Sequence, residues 1–440
     1  MINEIDFSVA ILSLLLVFGG AFAIKLIAKA THVFQLRVAI VLMFLVVNVI
    51  SGIIHLNRIS RTDRGFYDML STVNRSDEFS LFTTIVCTGV GLFSLIVGVS
   101  SSQVKVWRNA YLIDLPDGWS RKLLILFSII FTPISLYAII VLNSYLDQDS
   151  MRRVISLSDG MARFAFMAHW FVWAVSFFAI WLATKSSFKT SRNKGFLLFL
   201  SVVAIFMSLR WTGGRTVGIL MSLPLMIIFF GLMTRHRVKI IAIFLVSVVI
   251  YGIYLTGYRK ENYASNEFSL VSALDWEFGK FSMTGFAVDY VHKHGYSFGE
   301  TLYAGAFSIP YAILKLLGLD DGIWIPRMVT ELTGKSILGN SSINYIVPGF
   351  SAEMYLNFGV LGVAVGYYIL GRMARFMENS FVSKENIVEK FIFGYFGIIL
   401  IFCTIPAQSG AFFGYIFFSG FPLLLILFFL KIRYFRIKPI

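Results

Sequence analysis

The sequence predicts an all-α polytopic membrane protein: about eleven transmembrane helices and one large, partly helical exterior loop. Three observations predict it. Apolar side chains make up 57% of the chain and charged ones only 14%, whereas soluble domains carry about 25% charge. The apolar residues arrive in blocks of about 20, the length a helix needs to cross roughly 30 Å of hydrocarbon. Lys and Arg, finally, concentrate on alternate connections between those blocks.

The spans fall in order at 7–28, 36–56, 79–100, 122–144, 164–184, 195–211, 214–233, 240–257, 351–371, 390–406 and 411–430. The first follows Glu4 and Asp6 and precedes Lys29, the reverse of a secretory signal's basic start. It reads as a retained membrane helix with the N-terminus outside. The domain plan is then 1–257 (spans one to eight), 258–350 (the exterior loop) and 351–440 (spans nine to eleven and a tail). The tail "KIRYFRIKPI" carries four cations, which places the C-terminus in the cytoplasm.

That choice fixes the side of every loop. Segments 25–37, 101–122, 185–194, 234–239, 372–390 and the tail hold 22 Lys and Arg against 5 Asp and Glu; the remainder holds 16 against 19. The net charge of +14 is therefore membrane topology, and no nucleic-acid partner is expected. Outside, Arg outnumbers Lys 11 to 5. Lysine suffices for topology, but arginine offers a planar fork that matches phosphate oxygens. An arginine-weighted exterior predicts a phosphate-bearing partner at the membrane surface. Interfacial anchoring and loop salt bridges account for the same bias.

The spans hold few ionisable groups. His169 is the main exception and reads as packed between helices. That scarcity weakens ion-coupled transport, which places charged groups at membrane depth. Cys87 and Cys403 both fall inside spans and read as small buried residues. They build neither a disulfide frame nor a zinc site. Asp147 and Asp149 in "LDQDS" are a weak metal signal, and neither metal nor cofactor is expected.

Four stretches carry candidate chemistry. The hairpin "SLRWTGGRT" sets Arg210 and Arg215 between two spans on the exterior side. In the loop, Leu270, Leu274, Phe278 and Phe281 share one helical face. "YAGAFSIPYAILKLLG" is interrupted by Pro310, holds Lys315 and reads as an interfacial or re-entrant helix. Arg259 in "TGYRKENY", Arg327 in "IWIPRMVTELTG" and Lys335 stand where the loop meets the membrane or folds back on it. In "FSAEMYLNFGVLG", Ser351 fits an N-cap, which puts Glu353 in the first helical turn, where the helix dipole alone favours a carboxylate. Gly362 and Gly366 are spaced for close helix packing. His292 and His294 in "DYVHKHG" are alternative proton acceptors, or solvated turn residues.

Taken together, the spans, the single large exterior loop, "SLRWTGGRT", "IPRMVTELTG" and "AEMYLNFGVLG" resemble the Wzy-type O-antigen polymerases, with residues around 205–370 carrying the resemblance. It implies a GT-C-like glycosyltransferase of the bacterial inner membrane, multi-pass, N-terminus periplasmic. Its donor and acceptor would both be undecaprenyl-pyrophosphate-linked oligosaccharides, and a chain-length regulator is an expected partner. Arg210, Arg215, Arg259 and Arg327 would bind the pyrophosphate, and Arg210 and Arg215 would also serve catalysis. Glu353 would be the general base, with His292 or His294 as runner-up. Such enzymes use no nucleotide sugar, in keeping with the lack of a Gly-rich phosphate loop. An O-antigen ligase with the same donor and a flippase for lipid-linked oligosaccharides are the alternatives; a flippase predicts cations at mid-membrane, which the spans lack.

Overall fold

In the computed structural model, residues 2–29, 35–59, 78–100, 118–143, 161–183, 280–316, 318, 319, 322, 324, 327, 332, 347–383, 387–406 and 409–437 are described. Every regular element among them is helical. Among the described residues, five helical stretches are long and apolar enough to cross a membrane: Ile5–Ala28, Leu36–Asn57, Ser80–Ser100, Arg121–Val141 and Phe350–Ser383, the last broken within itself at Phe358 and Gly359. A sixth results if Ser409–Ser419 and Phe421–Leu430, bent by 63°, count as one span. The expected spans 195–211, 214–233 and 240–257 lie outside the described residues, as do Leu270, Leu274, Phe278, Lys335, Asp147 and Asp149.

The chain divides into two compact units. The first comprises Met1–Lys105, Ile253–Asn379 and Ile399–Gly414. It opens with α1 (Ile2–Ala28), then α2 (Leu36–Phe44) and α3 (Ser51–Ile59), joined through a π-helical stretch, Leu45–Ile50. Next come α4 (Glu78–Ser100), and, within the loop region, α5 (Phe281–His294) and α6 (Glu300–Leu316). The chain continues into α7 (Phe350–Ser383); a second π-helical stretch, Leu400–Thr404, precedes α8 (Ser409–Gly414). α1 packs on α2, α3 and α4; α5 lies against α3 and α4, and α6 against α8. The core of this unit runs from Leu12 and Phe44 through Leu92 and Leu95 to Phe281, Ala352, Tyr367 and Ile401. α4 and α7 approach most closely at Gly98 and Gly371. A Cβ on Gly98 would sit 2.5 Å from the Tyr368 carbonyl, and one on Gly371 2.7 Å from that of Leu95. Only glycine lets two backbones come this near, the packing mode membrane helices favour.

The second unit comprises Val106–Gly252, Ser380–Ile398 and Tyr415–Ile440. Its helices Gly118–Asn143 and Met161–Ala183 pack closely along their length. His169 is buried there, its Nδ1 2.8 Å from Ser419 Oγ, and it stacks on Tyr415. Trp170 and Trp173 donate their indole N–H groups to the carbonyls of Phe418 (2.8 Å) and Ser419 (2.5 Å). A π-helical stretch, Tyr415–Ser419, supplies these acceptors. The expectation that His169 packs between helices matches this arrangement.

Two expectations need correction. The predicted span at 351–371 is not one continuous helix. Phe358 (φ −143°, ψ 16°) and Gly359 (φ 65°, ψ −152°) break α7 into a short arm, 350–357, and a long arm, 360–383. The chain reverses there. Gly366 faces Phe350 and Met354 while Gly362 faces Met354, so the contacts run in opposite order and the arms are antiparallel. Gly362 and Gly366 thus make room for the protein's own short arm. Nor is Ser351 an N-cap: it lies inside the short arm, and its Oγ donates to Asn48 Oδ1 (2.8 Å) and meets Tyr367 Oη (2.7 Å). The Gly349 carbonyl instead receives the Glu353 N–H at 3.2 Å.

Candidate functional site

The short arm of α7 is buried, and its polar residues decide what surrounds it. At its start, Phe350 N donates to Ile405 O (3.1 Å); at its end, Leu356 O accepts Ser297 N (2.9 Å). Ser297 belongs to the turn between α5 and α6. That turn is tight enough to hold Gly295, Phe298 and Gly299 at φ values of 80°, 45° and 91°. Phe298 is the non-glycine residue forced into this region, which L side chains seldom adopt. The turn aims the start of α6 at the short arm.

Glu353 lies one helical turn before Asn357, on the same face. Its side chain is 1% exposed. Oε2 accepts Ser409 N at 2.6 Å and Oε1 accepts Ser409 Oγ at 2.7 Å. Thr301, at the start of α6, lies against the same carboxyl group. Asn357 completes the set: its Oδ1 accepts Gly299 N (2.8 Å), and its Nδ2 donates to Thr301 Oγ1 (2.7 Å) and Glu353 O (2.7 Å). A carboxyl group this buried persists only with its hydrogen-bonding capacity met, and here Ser409 supplies a donor to each oxygen. One network therefore joins α6, the short arm of α7 and α8.

Arg327 stands beside this network at the surface, its side chain 59% exposed. Glu300, at the start of α6, accepts Arg327 N and Nε, each at 3.0 Å, on Oε1 and Arg327 NH2 at 2.9 Å on Oε2. The hydrogen bond from the Arg327 side chain holds the Glu300 carboxyl below its ordinary range, against the opposing effect of burial. The fork geometry suits a guanidinium and no other cation. Around the pair lie exposed aromatic rings. Trp324 is 64% and Tyr303 50% exposed, and their rings stack at 6.5 Å with 10° between planes.

The structure thus brings two of the sequence-predicted residues to one place. Arg327 comes from the loop and is held by Glu300, while Glu353, on the arm that follows, is held by Ser409; the next residue of α6, Thr301, joins the same network through Asn357. His292 and His294 sit exposed in the last turn of α5; His294 packs on Tyr290 at 4.7 Å. Arg210, Arg215 and Arg259 lie outside the described residues. Sequence reasoning passed over Glu300, Thr301, Asn357 and Ser409. The spacing of Glu353 and Asn357 in "AEMYLNFG" was the available signal, since four residues put both on one helical face. Ser409 carried none: its role depends on which arm the chain folds against.

Comparisons with protein-family models, with curated proteins and with solved structures find no match for this chain.

Proposed function

We propose that this protein is a membrane glycosyltransferase that polymerises undecaprenyl-pyrophosphate-linked oligosaccharide repeats at the periplasmic face of a bacterial inner membrane. The reading carries forward the resemblance of its motifs to the Wzy-type polymerases. One structural observation supports it most: Glu300 holds the exposed guanidinium of Arg327, and the adjacent Thr301 accepts from Asn357 on the arm that carries the buried Glu353.

In the proposed reaction a hydroxyl oxygen of the acceptor repeat attacks the anomeric carbon of the donor glycan. The bond from that carbon to the pyrophosphate oxygen breaks, and undecaprenyl pyrophosphate leaves with the electron pair. The hydroxyl proton passes to a base. Negative charge grows on the departing pyrophosphate, so cations fixed beforehand at its position stabilise the transition state more than the substrate. Arg327 fits that role, because Glu300 fixes its orientation while the side chain stays open to solvent. Arg210, Arg215 and Arg259 complete the proposed cationic set. The stacked, exposed rings of Tyr303 and Trp324 suit the apolar face of a sugar. Glu353 is proposed as base in the resemblance, but its burial favours a second role, fixing the arm that frames the site.

The first test is the glycan profile of a strain lacking the gene. A lipid A core capped by a single repeat, with no longer ladder, supports polymerase. Long polymer stranded on undecaprenyl pyrophosphate identifies a ligase instead, and repeats trapped on the cytoplasmic side a flippase. Complementation with Arg215→Ala then tests the hairpin: full activity from a folded variant would refute its part in the pyrophosphate clamp.

A further inference from the structure

α6 buries its small residues and turns its large rings outward. Thr301, Ala304 and Gly305 are buried, and a Cβ on Gly305 would lie 2.6 Å from Gly410 Cα of α8. Tyr303, Phe307 and Tyr311 follow at four-residue steps, one above the next along a different side. Tyr303 is exposed, and Phe307 and Tyr311 are half-buried. Their ring centroids lie 5.2 and 6.1 Å apart, with 33° and 26° between planes. Trp324, from the chain beyond α6, extends the row by stacking on Tyr303 with 10° between planes. The rings of Trp324, Tyr303, Phe307 and Tyr311 thus form one gently turning row.

An ion pair fixes one end of this row. Glu300 precedes Tyr303 by one helical turn, and Arg327 follows Trp324 at the same sequence spacing. The ion pair and the ring pair are therefore two successive ties between the same two segments. Arg327 grips Glu300 through its backbone N, Nε and NH2, which holds the segment of Trp324 to α6. A guanidinium as exposed as this one is costly in hydrocarbon, so this end of the row stands outside the acyl region. Lipid-facing positions look different: α1 exposes Leu14, Val17, Phe18 and Ile24. Aromatic belts also set Trp and Tyr at headgroup depth, but a belt asks only for depth. It gives no reason to tie two segments together so that their rings become parallel.

We propose that this row is a glycan subsite, on which successive pyranose rings of an oligosaccharide lie face-on against Trp324, Tyr303, Phe307 and Tyr311. A pyranose has a flat apolar face of C–H groups and a rim of hydroxyls, and successive rings in a glycan repeat at a step close to the ring spacing of the row. Tyr and Trp answer both parts, with an apolar face and a polar group at the edge. The row begins beside Arg327, the proposed pyrophosphate contact, so a glycan bound there leads away from its own leaving group along α6. The subsite rests on the glycosyltransferase reading for the source of its glycan, and adds a length preference to it. A longer glycan covers more rings than a single repeat and is held more tightly.

The probes are lipid-free fragments of the source bacterium's surface polysaccharide, sorted into single repeats and longer pieces. Binding to the full-length protein in detergent is read by titration calorimetry, and saturation-transfer NMR shows which sugar protons touch it. Longer fragments are expected to bind about tenfold tighter than a single repeat, with transfer falling on ring C–H protons. Tyr303→Ala and Trp324→Ala should each weaken that binding about tenfold at native Tm, the loss of one stacking contact. Tyr303→Phe keeps the ring and most of the affinity. Phe93→Ala removes an exposed ring on α4, outside the row, and leaves binding unchanged. Affinity that survives both alanine substitutions overturns the proposal and leaves the bilayer interface as the setting of these rings. Equal affinity for single repeats and longer fragments, or no binding by the native chain, overturns it as well. The assay involves neither turnover nor a lipid pyrophosphate, so its failure is separate from that of the polymerase reading. Alanine variants that bind normally, in a protein whose gene deletion abolishes the glycan ladder, remove the subsite alone; a normal ladder in the deletion strain removes the reading.

Discussion

Glu353, buried on Ser409, and Arg327, exposed on Glu300, answer to opposite physics. Replacing Glu353 by Ala leaves Ser409 N and Ser409 Oγ without their acceptor in a buried place. Each stranded buried donor costs about 1–3 kcal/mol, so a large drop in Tm is expected in detergent. Glu353→Gln separates the two proposed roles. A pin loses stability because the amide turns a donor toward donors, whereas a base loses turnover at unchanged Tm. We expect the loss of stability. At the surface, Arg327→Lys keeps the charge but not the fork on Glu300, and activity is expected to fall roughly tenfold, the equivalent of one charge-assisted hydrogen bond. Activity at the native level in that variant would remove Arg327 from the site. The Glu300 pair also has a defined pH window. Arg327 depresses the Glu300 pKa in the folded chain, so the pair's contribution is fully present above the unfolded carboxyl value of about 4.3. It is lost as pH falls through the lower, folded value. Hydrogen exchange at the start of α6 should therefore stay slow from neutrality down to about pH 5 and quicken only in stronger acid. Glu300→Gln should remove that acid step.

Hydrophobic blocks made the helices legible, because length and apolar content depend on local sequence alone. The expected span at 36–56 appears as α2, α3 and the π-helical stretch between them, and that at 79–100 as α4. The reversal at Phe358 and Gly359 was not legible, since both arms are apolar and helical and only tertiary packing chooses between one continuous helix and two antiparallel arms. Asn357-Phe358-Gly359 does contain a helix-ending glycine, hidden by the apolar run that follows. Pro310 shows the converse. It reads as an interruption, yet α6 runs through it from Glu300 to Leu316; membrane helices tolerate proline where the freed carbonyl finds another partner. The hairpin within α7 makes its own prediction. Gly359 occupies φ 65°, ψ −152°, a region essentially closed to other residues, and a Cβ there would lie 2.9 Å from Tyr296 Oη. Gly359→Ala should cost on the order of 1–3 kcal/mol and loosen the short arm, read as faster hydrogen exchange across 350–357. Unchanged protection there would mean that the reversal does not depend on this residue.

At the scale of the whole molecule, charge distribution carries the argument that contacts carry elsewhere. The segments assigned to the cytoplasm hold 22 Lys and Arg against 5 acids, and a bias of this size orients helices as they insert. Lys29 lies exposed just past α1, and Leu319, 60% exposed, just past α6. The charge rule puts them on opposite sides of the membrane. After Cys87 and Cys403 are replaced by Ser, Lys29→Cys and Leu319→Cys supply single thiols whose side can be read with a membrane-impermeant maleimide. In cells with a permeabilised outer membrane, the thiol at 319 should label at once and that at 29 only after lysis. The reverse pattern would invert every loop. Arg327 would then face the cytoplasm, away from a pyrophosphate donor presented outside, and the polymerase reading would fall. The Glu353 network would remain, because it depends on packing within the first unit and not on which side of the bilayer it faces.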